Sequence, residues 1–360
     1  MVNSTEFADK FREETQKNME RAQAIVDAFV VNPADPPMAL THREIIWKRG
    51  KTRLYRYHSM DTPVAHPSPY LIVPWLGISR PYVLDLMPGA SMIEYLVDHG
   101  HDVYLLDWGE IAEEDKELGF EEAVFKILPR AIDRAMETSG ATEITLNGLC
   151  LGGTISACYL ALNPDAPVRN FVAVVAPINF EEGGLFRTWL NDPHFPAELI
   201  VQRYNGLPAS LMNTGFKMLR PTLEAQALSG LWANINRPGY SDGYKAMSRW
   251  ANDFIGMPGR FFQQLSQDMY ARNSLINGEL VLNGRRVELS RIAQPLLVVA
   301  ANQDFIVPAP CARSLMDAVS SEDKEYVELP GGHISVFSGR QAHQTLWPKI
   351  DEWVATRAGE

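Results

Sequence analysis

The segment Gly148-Leu149-Cys150-Leu151-Gly152-Gly153 stands between a short strand-like run at 143–147 and a helix-patterned stretch at about 151–162. A residue on so sharp a strand-to-helix turn adopts a strained backbone conformation, and the residues two before and two after it approach too closely for side chains. Glycine fills both positions. The turn also aims Cys150 at the N-terminus of the following helix, where unpaired amides favour negative charge. Cys150 is therefore a candidate nucleophile. The competing readings are a glycine-rich turn around an inert buried cysteine and a phosphate-binding loop, and the latter lacks the Lys-Ser/Thr pair of a P-loop.

The surrounding pattern decides between them. Residues 52–57, 70–73, 103–108, 171–175, 295–300 and 325–329 read as strands, and 91–98, 120–138, 309–319 and 341–356 as helices. Nearly continuous apolar strands that alternate with helices predict an α/β fold, a mostly parallel central sheet with helices on both faces. The alternation stops near Asn179 and resumes at Pro295. The stretch between is rich in Trp, Phe, Leu, Met, Gly and Pro, with helical patterning at 210–219 and 259–269, and reads as an inserted, mainly helical cap. Four regions follow: an N-terminal amphipathic helix and linker at 1–37, the first part of the core at 38–179, the cap at 180–290, and the second part of the core at 291–360. In the first, Phe7, Phe11, Met19, Val26 and Phe29 fall near helical spacing before a proline-rich stop at 32–37. That helix is expected to pack on its own domain, with docking of a partner as the alternative.

Composition narrows the functional classes. A net charge of -11 argues against nonspecific affinity for nucleic acid or an anionic membrane surface. No apolar run approaches the roughly 18 residues of a transmembrane helix, and residues 1–17 are polar and acidic rather than a basic leader before a hydrophobic stretch; a cytoplasmic location is expected. The three cysteines, Cys150, Cys158 and Cys311, are an odd number without C-x-x-C spacing, which disfavours a disulfide framework or a zinc site.

An acyl-transfer nucleophile needs a base and a group to orient it, in the chain order nucleophile, acid, histidine when carried on an α/β-hydrolase fold. Asn302-Gln303-Asp304 follows the strand-like run at 296–299, and Gly331-Gly332-His333 follows the one ending at Leu329, so both lie on loops at the carboxyl edge of the sheet. Alone, Asp304 could be a turn residue and His333 a solvated loop histidine; their joint order after the right strands favours a triad with Cys150. His101, Asp107 and His343 read as structural, Cys158 and Cys311 as packing residues, and His194 in the cap as a reserve candidate. The oxyanion hole is expected at the Leu151 amide plus a second amide from 75–77, with Leu76 standing for a stretch whose donor the sequence leaves open. Arg80, Arg187, Arg203 and Arg220 suit either an anionic ligand or a solvated surface.

Beyond the elbow, the chain resembles the catalytic subunit of polyhydroxyalkanoate (PHA) synthases of the α/β-hydrolase superfamily, especially the short two-component type (class III/IV-like), over about residues 41–353. The resemblance rests on Arg53-Leu54-Tyr55-Arg56-Tyr57, Arg80-Pro81-Tyr82, Asp102-Val103-Tyr104-Leu105-Leu106-Asp107-Trp108-Gly109, Leu275-Ile276-Asn277-Gly278 and the segments around Cys150, Asp304 and His333. It departs at Gly77-Ile78-Ser79-Arg80, which is one residue longer than the family pattern. The resemblance implies Cys150, Asp304 and His333 as catalytic residues and polymerisation of an (R)-3-hydroxyacyl-coenzyme A, the thioester being substrate rather than cofactor. No other cofactor or metal is implied. A helper subunit, a homo-oligomer and a place at the granule surface are further expectations. The alternatives are a cysteine-nucleophile hydrolase (thioesterase, esterase or dienelactone-hydrolase-like) and a non-enzymatic granule or scaffold protein.

Overall fold

The protein was analysed as a computed structural model that describes residues 4–59 and 61–357. Residues 1–3, 60 and 358–360, which the ranges 1–37, 38–179 and 291–360 include, lie outside the described residues. Eight strands form one sheet: β1 (Arg43–Arg49), β2 (Thr52–Tyr57), β3 (Tyr70–Val73), β4 (Val103–Asp107), β5 (Ile144–Leu149), β6 (Val168–Val174), β7 (Leu296–Ala301) and β8 (Lys324–Leu329). Their spatial order is β1-β2-β4-β3-β5-β6-β7-β8. β2 pairs antiparallel with β1 and with β4, and every other neighbouring pair is parallel. The α/β architecture is the expected one. β3, β5 and β7 are buried at every residue because helices cover both faces, which is why they read as apolar runs rather than alternations.

Strand β1 was not expected from the sequence. It begins and ends on charged residues, all its side chains are exposed or half-buried, and a bulge at Ile45/Trp47 breaks its register with β2. Main-chain pairing holds it, together with the half-buried Ile46 and Trp47, which pack against the core. The helices are closer to expectation. Ser91 caps Met92–Asp98 by accepting from the Glu94 amide, and the helix Leu151–Leu162 behind the elbow is buried along its whole length. The stretches at 309–319 and 341–356 are each divided, into Ala309–Arg313 and Leu315–Ala318, and into Gly339–Gln344 and Leu346–Ala355.

Residues 180–290 carry the helices Gly184–Leu190, Ala197–Tyr204, Ala209–Leu219, Leu223–Asn234, Tyr240–Ala251 and Gly259–Gln264, the last continuing as a π-helical turn, Leu265–Ala271. They also carry a feature without a sequence signal. Ile78–Ser79, from the loop after β3, pairs with Phe254–Pro258, which pairs in turn with Gly206–Leu207. Two-residue strands leave no periodicity to read, yet this small sheet ties the cap to the core beside the elbow.

The N-terminal helix, Ser4–Val26, departs from expectation. Phe11 and Met19 are 67% and 64% exposed and Val26 is exposed too, so these apolar positions are not packed on its own domain. Only its end engages the cap: Phe29 meets Tyr244 edge-on at 6.0 Å, and Lys245 Nζ donates to the Asn32 carbonyl at 2.6 Å. Among the described residues no helix is long and apolar enough to cross a membrane.

The tightest contact in the fold lies at the elbow. The register sets Gly148 beside Val73 of β3 and Ala173 of β6. A Cβ at Gly152 would run into the Val73 carbonyl oxygen, and one at Gly148 into the Gly153 backbone. Gly152→Ala is expected to destabilise the protein by at least about 2 kcal/mol, read as a lowered midpoint in chemical denaturation. An unchanged midpoint would show that β3 and the elbow can part without cost.

Candidate active site

Cys150 occupies the turn between β5 and the helix Leu151–Leu162 with φ 51° and ψ -128°, a conformation that costs an L-residue roughly 1–3 kcal/mol. Its amide donates to the Val174 carbonyl at 2.9 Å, while Thr154 Oγ1 donates to the Pro177 carbonyl at 2.7 Å and anchors the first turn of the helix. The side chain therefore stands at the carboxyl edge of the sheet, at a helix N-terminus.

The loops after β7 and β8 are laced together. Asn302 N donates to Leu329 O and Gln303 N to Gly331 O, both at 2.9 Å, and Asn302 Oδ1 accepts from Gly331 N at 3.1 Å. Asp304 is held by the amides of Ile306 and Val307, both donating to its Oδ1 at 2.8 Å. Its Oδ2 lies 2.6 Å from His333 Nδ1. A carboxylate can only accept, so Nδ1 carries the proton and Nε2 is left for chemistry. Both side chains are buried. Burial disfavours the imidazolium, but the Asp304 charge and the adjacent Cys150 outweigh it and push the His333 pKa up to about 10. The structure thus brings together the three residues singled out from sequence.

The Leu151 amide is the first of its helix and has no intrahelical acceptor. The Leu76 amide donates to no protein acceptor among the described residues. Close packing of Gly152 against Val73 and Pro74 sets the loop that carries Leu76 beside the elbow. Over the elbow opens a cavity of about 530 Å³, lined by Cys150 and Leu151 from the core and by Phe186, Met212, Met257 and Tyr270 from the cap. Its walls are largely apolar, with Asp192, His194, Thr214 and Tyr270 supplying the polar side-chain groups in addition to Cys150. His194 is 94% exposed at the side chain and bonds only Asp192, at 3.1 Å.

The secondary candidates are accounted for by other contacts. Burial pushes the thiols of Cys158 and Cys311 up to about 12, so neither is a nucleophile at neutral pH. Asp107 accepts from the Gly109 amide at 2.9 Å, and His343 packs edge-on against Tyr95 and Trp347. Arg80 is paired with Glu110 and Asp253, while Arg187 grips the Tyr270 carbonyl and Glu181; neither is a free surface charge. Arg220 lies over the Phe305 ring, and Arg203 is exposed. His101 bonds Asp351 at 2.9 Å and stacks on His66, at the edge of the sheet opposite the elbow. His66, His101 and Asp351 are metal-type donors, but the two rings are nearly parallel (5°) with centroids 3.9 Å apart. Their in-plane lone pairs cannot converge on one ion unless a ring turns.

Tyr270 escaped the sequence reading. It lies one residue beyond the helical patterning at 259–269 and belongs to no spaced motif; only its place within an apolar cap segment near Leu275-Ile276-Asn277-Gly278 could have drawn notice.

A family described as alpha/beta hydrolase fold matches residues 83–339. The chain is 33% identical over 318 residues to the poly(3-hydroxyalkanoate) polymerase subunit PhaC of Allochromatium vinosum, covering 88% of each. It is 32% identical over 320 residues to the protein of the same name from Haloferax mediterranei, covering 88% of this chain and 64% of that relative's length. Among solved structures, the monoglyceride lipase of Saccharomyces cerevisiae superposes with a TM-score of 0.58 at 12% identity, covering 90% of this chain and 97% of the lipase. This last likeness concerns the fold alone.

The raised pKa of His333 has a definite sign. Because it lies above the ordinary 6.5, the charged ring contributes stability that is fully present below pH 6.5 and is lost as pH rises through about 10. Asp304→Asn removes the chief opponent of burial, so the His333 ring is expected to titrate below 6.5 in that variant. NMR titration of the ring protons reads this directly; a variant ring still titrating near 10 would show that Asp304 is not what holds the charge.

Proposed function

This chain belongs to the PhaC family of poly(3-hydroxyalkanoate) polymerases, acyltransferases of the alpha/beta hydrolase fold, and on that premise we propose that it polymerises (R)-3-hydroxyacyl-coenzyme A through a covalent acyl-Cys150 thioester. The observation that carries the proposal is the line Asp304–His333–Cys150 opening into a largely apolar cavity.

In this reading Cys150 Sγ attacks the thioester carbon, and the oxygen's developing charge is met by the Leu151 and Leu76 amides. The C–S bond to coenzyme A breaks, and the departing thiolate takes a proton from His333. The ring, now neutral, accepts the proton of a 3-hydroxyl as that oxygen attacks the acyl-cysteine. The new ester bond forms, Sγ leaves, and His333 is again protonated. Asp304 holds the Nδ1–H tautomer and stabilises the cation through both halves of the cycle. A thiol suits this exchange because acyl transfer from one thioester to another keeps the acyl group activated; a serine ester would be no more reactive than the product. The apolar cap limits competition from water. A helper subunit and a homo-oligomer at the granule surface in the cytoplasm complete the proposal.

Brief exposure to 3-hydroxybutyryl-coenzyme A should leave one 3-hydroxybutyryl adduct on Cys150 by mass spectrometry, and longer exposure should release coenzyme A with insoluble polyester. Cys150→Ala should lower that release by roughly 10⁴-fold or more. Coenzyme A release with free 3-hydroxybutyrate as the sole product would instead make the chain a hydrolase.

A further inference from the structure

Tyr270 is set with more care than a packing residue requires. It stands in the π-helical turn Leu265–Ala271 and is 7% exposed. Its ring meets Phe180 edge-on at 5.0 Å, and Phe186 lies 6.3 Å away. Its carbonyl is gripped by Arg187 Nη1 at 2.5 Å, and Arg187 is anchored by Glu181 at 2.8 Å. Just beyond the turn, Asn273 Oδ1 accepts from the Phe180 amide and its Nδ2 donates to Asn179 Oδ1, both at 2.8 Å. The ring is thus fastened to the end of the core on which it packs.

What this fastening presents to the cavity is a hydroxyl. Tyr270 lines the same cavity as Cys150, and its hydroxyl has no hydrogen-bond partner among the described residues. Burial, together with the neighbouring Cys311, Cys150 and Asp304, pushes its pKa well above the ordinary 10, so the group stays a neutral O–H donor. The other polar side chains beside Cys150 are committed. Asp304 accepts two amides and the His333 ring, and a thiol such as Cys311 is a weak hydrogen-bonding group. A buried polar group with no protein partner calls for one in the ligand.

Resting on the reading that the substrate is a 3-hydroxyacyl thioester, we propose that the Tyr270 hydroxyl binds the substrate's 3-hydroxyl group and makes the site selective for 3-hydroxylated over unsubstituted acyl chains. The match follows from counting polar groups near the reacting carbon. The thioester carbonyl is served by backbone amides, which leaves the 3-hydroxyl as the one further polar group of the acyl unit near Sγ. A substrate without the hydroxyl leaves the phenol buried and unpaired, the situation in which discrimination by a hydrogen-bonding site is largest.

The test compares the wild type with Tyr270→Phe, which keeps the ring and its contacts with Phe180 and Phe186. The probes are 3-hydroxybutyryl-coenzyme A and butyryl-coenzyme A, read as the rate of Cys150 adduct formation by mass spectrometry; kcat and KM for coenzyme A release are measured with the first. The wild type is expected to prefer the hydroxylated thioester by about 10- to 100-fold in adduct formation. In Tyr270→Phe the preference should fall to within about threefold, through slower reaction with 3-hydroxybutyryl-coenzyme A and a rate with butyryl-coenzyme A that does not fall, since removing the phenol removes its unpaired state. Loss of both rates together, with an unaltered melting temperature, would assign Tyr270 a general packing role and overturn the inference, as would a preference that survives the substitution. A wild type that forms no adduct with either thioester would overturn the functional reading itself. If Tyr270→Phe melts early, Phe180→Leu, which loosens the same packing without touching the hydroxyl, must preserve the preference; its loss there would also overturn the inference.

Discussion

The backbone of Cys150 is the constraint on which the remainder of the site depends. Its positive φ lifts the thiol off the end of β5 and turns the chain at once into a helix. That geometry is possible only because nothing stands at Gly148 or Gly152 to keep β3, β5 and the helix apart. The strain of the turn is offset by burial of the helix behind it, every residue of which is inaccessible. Ser156 reinforces the first turn by donating to the Gly152 carbonyl at 2.7 Å. The same close approach sets Val73 and Pro74 against the helix, so one steric requirement places both the sulfur and the loop beside it.

The polar half of the site is built on the opposite plan. Asp304 has no freedom: two amides and one ring use its oxygens, and its side chain is fully buried. A charge held so firmly at 2.6 Å from an imidazole decides where a proton rests, even though burial alone would drive it off. The contrast with Cys158 and Cys311 is instructive. Neither has an imidazole partner, and burial is the chief cause that pushes both thiols up to about 12, with the charges of Asp304 and Cys150 adding to it at Cys311. Chemical role in this chain follows from neighbours rather than from residue type.

Much of this could be read in the sequence because the central strands are sheathed on both faces. Continuous apolar runs, with glycines at 148 and 152 and polar residues just past the strands ending at Ala301 and Leu329, have few alternative structures. The parts that could not be read have physical reasons. β1 is held largely by main-chain bonds, which leave no trace in hydropathy, with Ile46 and Trp47 half-buried on the core, and its charged ends hide a strand. The small cap sheet is too short for periodicity. The N-terminal helix has an amphipathic pattern, but a pattern states which face could be buried and not whether anything buries it. Tyr270 reaches the site through a fold-back of the cap that no local signal encodes.

The loop after β3 joins these parts. Trp75 Nε1 donates to the Ser79 carbonyl at 2.8 Å, and Trp250 Nε1, from the cap, donates to the Arg80 carbonyl at the same distance. Between them Ile78 takes a positive φ of 69° and pairs with Gly256, while Arg80 bridges to Asp253 at 3.3 Å. The stretch that carries Leu76 beside the elbow therefore runs directly into a strand of the cap's sheet. In the proposed mechanism a lengthening polymer chain presses on cap residues such as Phe186 and Met257, and Met257 follows Gly256 directly. Phe254–Pro258 pairs with the backbone two residues from Leu76, so in that mechanism accommodation of the product and alignment of the proposed second oxyanion amide share one mechanical element.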